Sequence, residues 1–428
     1  MSSRPHVAEQ PTGTAFRDPE VDDLVAREAD RRRTTLQLIA SENPAIPAVD
    51  AALGSAFAAK YAEGYPGARY HAGCDVVDDL EDLATRRARD LFGAEHANVQ
   101  PHSGTSANVA VYAAFAQPGD PVLALRLDHG GHQSHGSRAN FSGRWFSPSG
   151  YGVRADTELI DYDQLRELAL VHRPRMLVAG ASSYPRAIDF AVMRSIADEI
   201  EAILWVDAAH LCGLFAADVL PSAVGVADVV TGVTHKVLRG PRGGFILSRR
   251  EHAHAIDKAV YPFVQGGPAM NAIAGKAVAF ADAGTDAFAA YVRDAVTTCA
   301  ALCDELERAG LRVVTGGTDM HLAVIDVGPF GISGRTARDR LGRAGIVCDK
   351  AVLPFDRRPA VEGSGVRIGT AGSTAQGVRP DDAVVVAGVI TDALRADPAT
   401  GEGARTLDRL RTRVAEFLSR PRPTDPST

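Results

Sequence analysis

The sequence lacks the marks of membrane, secreted and nucleic-acid-binding proteins. No apolar run approaches the roughly 18 residues that a membrane-spanning helix needs, and the amino terminus has no hydrophobic signal core. The net charge is -7, and basic residues are interspersed with acidic ones rather than gathered into a patch that would bind a phosphate backbone. We therefore expect a cytoplasmic protein that binds neither nucleic acid nor a membrane.

Cysteine and lysine are both scarce. The five cysteines are odd in number and show no CxxC spacing, which is typical of reduced thiols buried in a core. Five lysines stand beside 41 arginines, since lysine and arginine together number 46. A lysine placed among arginines therefore suggests a chemical role that arginine cannot fill.

The remaining composition describes a globular chain with an ample core. Its 428 residues are 45% hydrophobic and 23% charged, which is enough for more than one domain. We predict an N-terminal arm and helices over residues 1–60, a large domain over 61–290 and a small C-terminal domain over 291–428. Residues 1–16 are polar and 420–428 are proline-rich, so both segments are expected to be loose.

The order of elements predicts an α/β fold. Apolar runs at residues 122–125, 176–179 and 203–206 alternate with helical patterns at 162–170 and 193–200. This alternation indicates a mostly parallel sheet covered by helices, with ligands at the carboxyl ends of the strands.

Beyond residue 290 the pattern changes to that of a smaller α+β domain. A helix is predicted over 292–306, and strands are predicted near 311–314, 321–327 and 366–369. The alternation within 321–327 predicts a strand with one exposed face.

Residues 229–244 run from a short apolar strand into a polar turn and then into a basic, glycine-rich loop. The turn presents Lys236, and His235, Arg239 and Arg242 lie close to it in the sequence. A lysine that is partly desolvated and near other cations has a depressed pKa and can anchor a carbonyl cofactor covalently. The alternative is a solvated basic turn that follows a strand.

A second candidate is the Ser-Gly-Thr turn at residues 103–105, ahead of a helix predicted over 109–116. Free backbone N–H groups, two hydroxyls and the positive end of a helix dipole converge there, as a phosphate site requires. The same residues also make an ordinary helix N-cap. Ser41 is equally ambiguous, because it precedes a helix predicted from Pro47 and would cap it.

Residues 61–73 form a third candidate, the site loop. They combine three tyrosines, a glutamate, an arginine and a histidine with glycines, and they follow neither a helical nor a strand period. A structural loop rarely needs so many hydrogen-bonding side chains, so we interpret this segment as part of a functional site.

Two strand ends carry further polar residues. Asp207 follows the run 203–206, with His210 three residues later, which suits a buried carboxylate facing a protonated ring nitrogen. His129, His132 and His135 follow the run 122–125 and raise the question of a zinc site. Two intervening glycines indicate an irregular loop, and no acidic or cysteine ligand set completes the site, so no metal is predicted.

Taken in order, these segments resemble serine hydroxymethyltransferase, a fold-type I pyridoxal-phosphate enzyme, from about residue 38 to residue 377. The matching segments are LIASEN at 38–43, KYAEGYPG at 60–67, NVQPHSG at 98–104, NFSG at 140–143, THK at 234–236 and RGPRGG at 239–244.

The resemblance implies a set of cofactor contacts. Lys236 would bind pyridoxal phosphate covalently, Asp207 would pair with the ring nitrogen and His132 would stack on the ring face. Ser182 and His210 would lie near the phenolic oxygen. The residues expected to hold the phosphate are Ser103, Gly104, Thr105 and His235, joined by Tyr61, Gly266 and Gly267 of the neighbouring subunit. The resemblance thus implies a homodimer, or a dimer of dimers, with active sites at the subunit interface.

Substrate roles are implied in the same way. Arg367, helped by Ser41, would hold the carboxylate of a small amino-acid substrate. Glu63 would act in proton transfer on the substrate hydroxyl or on the carbon unit, with Tyr70 near it. The full set implied in substrate binding is Ser41, Tyr61, Glu63, His210 and Arg367. Such an enzyme breaks the Cα–Cβ bond of a β-hydroxy amino acid, with tetrahydrofolate as the carrier of the carbon unit.

The chain departs from the family around the folate pocket and elsewhere. Tyr-His-Ala-Gly at 70–73 replaces Tyr-Tyr-Gly-Gly, Gln133 replaces an apolar residue and Ala351 replaces an asparagine that helps hold folate. Gly232 interrupts a threonine run together with its neighbour Val233. A smaller segment also stands at 369–372, where Gly-Thr-Ala-Gly replaces Gly-Thr-Pro-Ala.

The smaller residues are expected to lie close to the substrate Cα and to make room for an extra substituent. Three functions therefore stay open. The first is a hydroxymethyltransferase that acts on serine or α-methylserine with tetrahydrofolate. The second is a folate-independent threonine transaldolase or aldolase that acts on β-hydroxy amino acids. The third is a paralogue that binds pyridoxal phosphate for a structural or regulatory role.

Overall fold

The computed structural model describes residues 17–420. The N-terminal arm at 1–16, and all but the first residue of the proline-rich segment at 420–428, lie outside this range. Among the described residues, none of the helices combines the length and the apolar character that crossing a membrane requires.

The helices and strands are numbered in chain order. Helices α1 to α15 are Pro19–Thr34, Pro47–Leu53, Asp75–Phe92, Gly104–Phe115, Phe141–Trp145, Tyr162–His172, Phe190–Glu199, Cys212–Ala216, Ala253–Lys258, Met270–Ala283, Asp286–Arg308, Gly334–Arg343, Ala371–Ala375, Ala383–Arg395 and Gly401–Leu418. Strands β1 to β15 are Leu36–Gln37, Gly64–Tyr65, Ala68–Arg69, His96–Asn98, Pro121–Leu125, Ser147–Tyr151, Met176–Ala179, Ile203–Asp207, Val229–Val233, Gly244–Ser248, Arg312–Val313, Leu322–Asp326, Ile346–Val347, Asp349–Ala351 and Gly365–Gly369.

A seven-stranded sheet lies at the centre of the molecule, in the order β4-β10-β9-β8-β7-β5-β6. The strands from β9 to β6 pair in parallel, whereas β10 runs antiparallel to both of its neighbours. The predicted α/β fold with a mostly parallel sheet is confirmed. Because β8 and β9 are parallel neighbours, Asp207 and the turn of Lys236 leave the sheet at the same edge.

Both faces of this sheet are packed. On β8, Leu204 and Val206 enter one apolar core, and Trp205 enters a second core on the opposite face. Successive side chains of a strand point to opposite faces, so a strand covered on both sides needs a continuous apolar run.

A four-stranded antiparallel sheet, ordered β11-β12-β15-β14, forms the smaller α+β part. Strand β1 pairs in parallel with β13, and Leu36 and Leu38 share the core of the C-terminal residues. Helix α11 runs through residue 290, where the sequence predicts a domain boundary. The three-part division of the chain stays a prediction.

Helix α4 begins at Gly104 rather than at residue 109. The Ser103 Oγ accepts a hydrogen bond from the Ser106 N–H at 3.1 Å, and the Ser106 Oγ accepts one from the Ser103 N–H at 2.8 Å. This reciprocal capping satisfies two donors of the first turn. The earlier start brings the helix N-terminus into the predicted phosphate turn.

Two sequence predictions about local structure are wrong. Strand β12 is buried on both faces, because Ala323 and Ile325 pack into the core of the small part while Leu322 and Val324 enter other apolar clusters. Ser41 does not cap α2, since the N-cap position is Ile46 and no side chain caps that helix.

Candidate active site

Lys236 stands in a turn whose backbone is held from two sides. Just after β9, the Thr234 hydroxyl donates to the Pro241 carbonyl at 2.6 Å. The Asn43 side-chain amide donates to the Lys236 carbonyl at 2.9 Å. The basic loop and the N-terminal segment therefore fix the position from which the lysine side chain projects.

The electrostatics of Lys236 suit a reactive amine. Burial lowers the pKa of Lys236 to about 8, with Asp207 opposing the shift and Arg367 adding to it. The cation that acts on the lysine is thus Arg367 of the small sheet rather than a sequence neighbour. Arg239 is buried, and its guanidinium lies 4.8 Å from the ring centre of Tyr291.

Asp207 is a buried carboxylate with three hydrogen-bond donors. Asn108 Nδ2 and His135 Nε2 lie 2.8 and 2.9 Å from its Oδ2, and the Ala209 N–H lies 3.0 Å from its Oδ1. Burial alone would raise the pKa of Asp207, but the hydrogen bonds from His135 and Asn108 hold it well below its ordinary value. The carboxylate therefore stays ionised and faces the site as a fixed negative charge.

The three histidines after β5 do not converge. The His129 Nδ1 accepts the Val153 N–H at 3.0 Å, away from the other two. His132, His135 and Asp207 do bring ligand atoms within 4.8 Å of one another, a separation that a metal ion requires. Each of the three already has a protein partner, since the His132 Nδ1 lies 2.7 Å from the Ser134 hydroxyl. The sequence offered no acidic ligand beside these histidines, whereas the fold places the Asp207 carboxylate among them.

His132 is well suited to stack on an aromatic ring. Burial lowers the pKa of His132 to about 4, with Lys236 and Arg367 adding to the effect and Asp207 opposing it. The imidazole is therefore neutral at physiological pH, which removes the cost of burying a charge against an aromatic face.

The phosphate turn and the lysine turn are in direct contact. A Cβ built on Gly104 would lie 2.6 Å from Cγ1 of Val233, so only a glycine lets β9 pack against the start of α4. Thr105 follows in the first turn of that helix. Burial lowers the pKa of His235 to about 4, and its Nδ1 is buried with no hydrogen-bond partner in the described structure. A buried polar atom without a partner, in the residue next to Lys236, is a feature that a bound anion would satisfy.

Arg367 is preorganised beside the lysine. Its guanidinium donates to the Ser182 carbonyl at 2.7 Å and to the Asp349 carboxylate at 2.6 Å. These two contacts fix the planar group and leave other N–H bonds for a carboxylate ligand. Ser182 in turn donates its hydroxyl to the Gly131 carbonyl at 2.8 Å, which joins Arg367 to the histidine loop.

His210 is buried against a second histidine, His321, which directly precedes β12 of the small sheet. Its ring is stacked on His321 with centres 5.6 Å apart, and the His321 Nε2 lies 3.3 Å from the carbonyl of Ala40, the residue before Ser41. Burial lowers the pKa of His210 well below its ordinary value and that of His321 to about 3. The two neutral rings therefore connect the central sheet to the segment that carries Ser41.

The site loop forms a separate group with two glycines predicted to act beside it. A Cβ on Gly266 would lie 3.3 Å from the Glu63 Oε1, and one on Gly267 would lie 3.6 Å from the ring of Tyr61. The His102 Nε2 lies 3.1 Å from the Gly267 carbonyl. His102 directly precedes Ser103, so the group abuts the phosphate turn of the same chain.

The side-chain partner of Glu63 is His71, while the Tyr70 N–H donates to the Glu63 backbone carbonyl at 3.1 Å. The His71 Nε2 lies 3.3 Å from the Glu63 Oε2, and the His71 ring meets the Tyr61 ring edge-on at 5.3 Å. Tyr70 instead packs its ring 6.0 Å from that of Tyr261 and is 76% exposed. The loop that departs from the family pattern thus places an imidazole against this carboxylate.

Two of the smaller residues, Gly232 and Gly372, face neighbouring protein atoms. A Cβ on Gly232 would fall within 2.8 Å of three ring atoms of Phe245, which is paired directly across from it on β10. A Cβ on Gly372 would meet the side chain of Gln37 at 2.8 Å. Both glycines accommodate neighbouring protein atoms. Ala351 is likewise buried in a small apolar cluster.

Sequence reasoning missed Asn108 and His321, and it named His135 only as a possible metal ligand rather than as a partner of Asp207. Asn108 and His135 hold Asp207 from sequence positions 99 and 72 residues away, and His321 meets His210 across 111 residues. No local pattern connects such pairs. A fourth residue, Lys276, is buried beside the phosphate turn. From sequence it could be suspected only because lysine is rare in this chain.

The chain matches known proteins over most of its length. Residues 15–390 match the family model described as serine hydroxymethyltransferase. The serine hydroxymethyltransferase of Coprothermobacter proteolyticus is 52% identical over 370 residues, which cover 86% of this chain and 89% of that protein. The serine hydroxymethyltransferase of Myxococcus xanthus is 49% identical over 400 residues, which cover 94% of this chain and 95% of that protein. The similarity therefore includes both the central sheet and the small sheet.

Proposed function

The chain belongs to the serine hydroxymethyltransferase family, and from this premise we infer that it transfers a hydroxymethyl group between serine and tetrahydrofolate with pyridoxal phosphate as cofactor. The observation that carries the proposal is the meeting of three groups at one sheet edge. These are the lysine of lowered pKa, the buried ionised Asp207 and the capped N-terminus of α4.

The residues present fit pyridoxal phosphate. Asp207 would keep a proton on the ring nitrogen, because a fixed carboxylate favours a positive partner. The α4 N-terminus and the buried Nδ1 of His235 would receive the phosphate. Lys236 would supply a neutral amine to the cofactor carbonyl, and the neutral His132 would cover the ring.

When bound, pyridoxal phosphate acts as an electron sink for the substrate Cα. The protein's own part is to orient the substrate and to move protons. The Arg367 guanidinium would hold the substrate carboxylate with the help of Ser41, and His210 would line the same space. Glu63 would exchange the proton of the substrate hydroxyl, with His71 against its other side and Tyr70 nearby.

The site loop supports a homodimeric arrangement as part of the proposal. Tyr61 and Tyr70 are 65% and 76% exposed, and Phe263, close in sequence to Gly266 and Gly267, is 70% exposed. Large exposed aromatic side chains in one region are typical of a surface that another subunit covers. We propose that this group completes the site around Lys236 of a second copy. A cytoplasmic location stays a prediction.

Serine is favoured over α-methylserine, because Gly232 and Gly372 make room for protein atoms rather than for an extra methyl group. The test is turnover of L-serine, α-methylserine and L-threonine, each with and without tetrahydrofolate. We expect serine cleavage that depends on tetrahydrofolate. Faster acetaldehyde release from threonine without folate would instead establish the transaldolase or aldolase, and no turnover by cofactor-loaded protein would favour the non-catalytic paralogue.

A further inference from the structure

Lys276 is a buried lysine that the proposed reaction does not use. It lies on α10 and is 1% exposed. Its Nζ donates to the carbonyls of Val99 at 2.6 Å, Pro101 at 3.0 Å and Gly244 at 2.8 Å. Three carbonyl acceptors match the three N–H bonds of an ammonium group, whereas a neutral amine has two. The geometry therefore favours a charged lysine.

A buried ammonium is costly and needs a reason. Burial lowers the pKa of Lys276 to about 7, and Glu81 opposes the shift. Glu81 is itself engaged by Arg69 at 2.7 Å and by Gln100 at 2.7 Å. Packing alone would be served better by an apolar side chain, which carries no desolvation cost.

The three carbonyls belong to the two segments that build the phosphate site. Val99 and Pro101 follow β4 and lead to Ser103, which caps α4. Gly244 opens β10, at the end of the loop that follows Lys236. The two segments touch, since the Gly244 N–H donates to the Pro101 carbonyl at 3.0 Å. A Cβ on Gly244 would also overlap the Ser103 carbonyl. Lys276 thus joins both segments directly behind the turn.

We propose that Lys276 is a positioning residue for the phosphate site. Its ammonium group fixes residues 99–101, which lead into α4, against Gly244 at the start of β10 and places a buried positive charge behind the N-terminus of α4. The inference rests on the proposed function in one respect, that the anion is the phosphate of the cofactor. It predicts that Lys276 governs the preference for a phosphorylated ligand.

The experiment compares two ligands on the full-length apoprotein. Dissociation constants of pyridoxal phosphate and of pyridoxal, which lacks the phosphate, are measured by visible absorbance for the wild type and Lys276→Met. Lys258→Met on α9, where the lysine is exposed, is the matched control. We expect Lys276→Met to raise the dissociation constant of pyridoxal phosphate by about tenfold or more, because a network of charge-assisted hydrogen bonds is lost. The dissociation constant of pyridoxal should rise by much less. The control should match the wild type.

Lys276→Gln retains two N–H donors and should show the same selective loss to a smaller degree. Equal weakening of both ligands, or an unchanged preference for the phosphorylated one, would overturn the role of Lys276. So would failure of both variants to fold in excess pyridoxal phosphate, since the lysine would then be a general structural residue. A wild type that binds neither ligand would overturn the proposed function as well.

Discussion

The two halves of the candidate active site are built in opposite ways. In the half around Lys236, Asp207 is buried and receives three hydrogen bonds, from Asn108, His135 and a backbone N–H. In the site loop, Glu63 is partly exposed and has one polar side-chain contact, to His71 at 3.3 Å.

This difference separates what must stay fixed from what can vary. A buried carboxylate with several donors is costly to alter, because each lost partner leaves a buried polar atom unsatisfied. A partly exposed carboxylate with one polar side-chain contact can be reoriented by substitution of a single neighbour. The departure from the family at His71 falls in the second half, where substitution disturbs few other contacts.

The largest effect is expected in the buried half. Lys236→Ala removes the only amine proposed to react, so serine turnover should fall by at least about a thousandfold. The purified variant should also lose the visible absorbance of covalently bound cofactor after dialysis, while Lys258→Ala keeps it. Covalent cofactor in Lys236→Ala would mean that another lysine is the anchor.

The next largest effect tests the exposed half. Glu63→Gln keeps the shape of the side chain but removes its charge and its ability to accept a proton. Turnover should fall by roughly a hundredfold or more, as for loss of a general acid–base group, with the dissociation constant of pyridoxal phosphate unchanged. Weaker cofactor binding would show that the two halves are not separable as the structure suggests.

Mixing the two inactive variants sharpens the same comparison. If Lys236 and Glu63 of one site come from different subunits, heterodimers of Lys236→Ala and Glu63→Gln each contain one intact site. Random exchange should then restore roughly a quarter of the wild-type activity. No recovery after demonstrated subunit exchange would place both residues in one chain's site.

The central sheet and its site edge could be predicted from sequence, because apolar runs and the polar residues that end them are local signals. Asp207 and Lys236 follow two such runs, and parallel pairing brings them together. The contact of His71 with Glu63 could not be predicted, since it depends on how a short hairpin with left-handed glycines turns. Gly232 was misread because its cross-strand partner Phe245 is 13 residues further along and belongs to another strand.

The register of β9 and β10 gives a stability prediction in the buried half. Gly232→Thr would force Cβ and its branches into the ring of Phe245, at an expected cost of about 1–3 kcal/mol in the free energy of unfolding. Combining it with Phe245→Leu should recover part of this loss, because the smaller side chain frees the space. Denaturant unfolding measures both, and additive losses would contradict a direct clash.

Asn108→Ala removes one of the hydrogen bonds that hold Asp207, and a smaller effect is expected. It deletes one of the two side-chain donors and leaves His135 in place. Cofactor affinity should fall by about tenfold, consistent with the loss of one charge-assisted hydrogen bond. The ratio of serine to threonine turnover should not change, since that ratio depends on the other half. A changed ratio would indicate coupling between the halves.

The smallest effect is a dependence of cofactor uptake on pH. Burial and Arg367 lower the pKa of Lys236 to about 8, so its amine is mostly protonated at pH 7 and mostly neutral above pH 9. Only the neutral amine attacks a carbonyl, and the rate at which apoprotein takes up pyridoxal phosphate should rise roughly fivefold from pH 7 to 8 and level off above pH 9. Stopped-flow absorbance measures this dependence of rate on pH.

Arg367→Gln should move the midpoint of that pH dependence to higher pH, because a cation that disfavours protonation of Lys236 is removed. A rate that rises a further roughly sevenfold from pH 9 to 10 would mean that Lys236 titrates as an ordinary exposed lysine and that the contrast between the two halves does not extend to its chemistry.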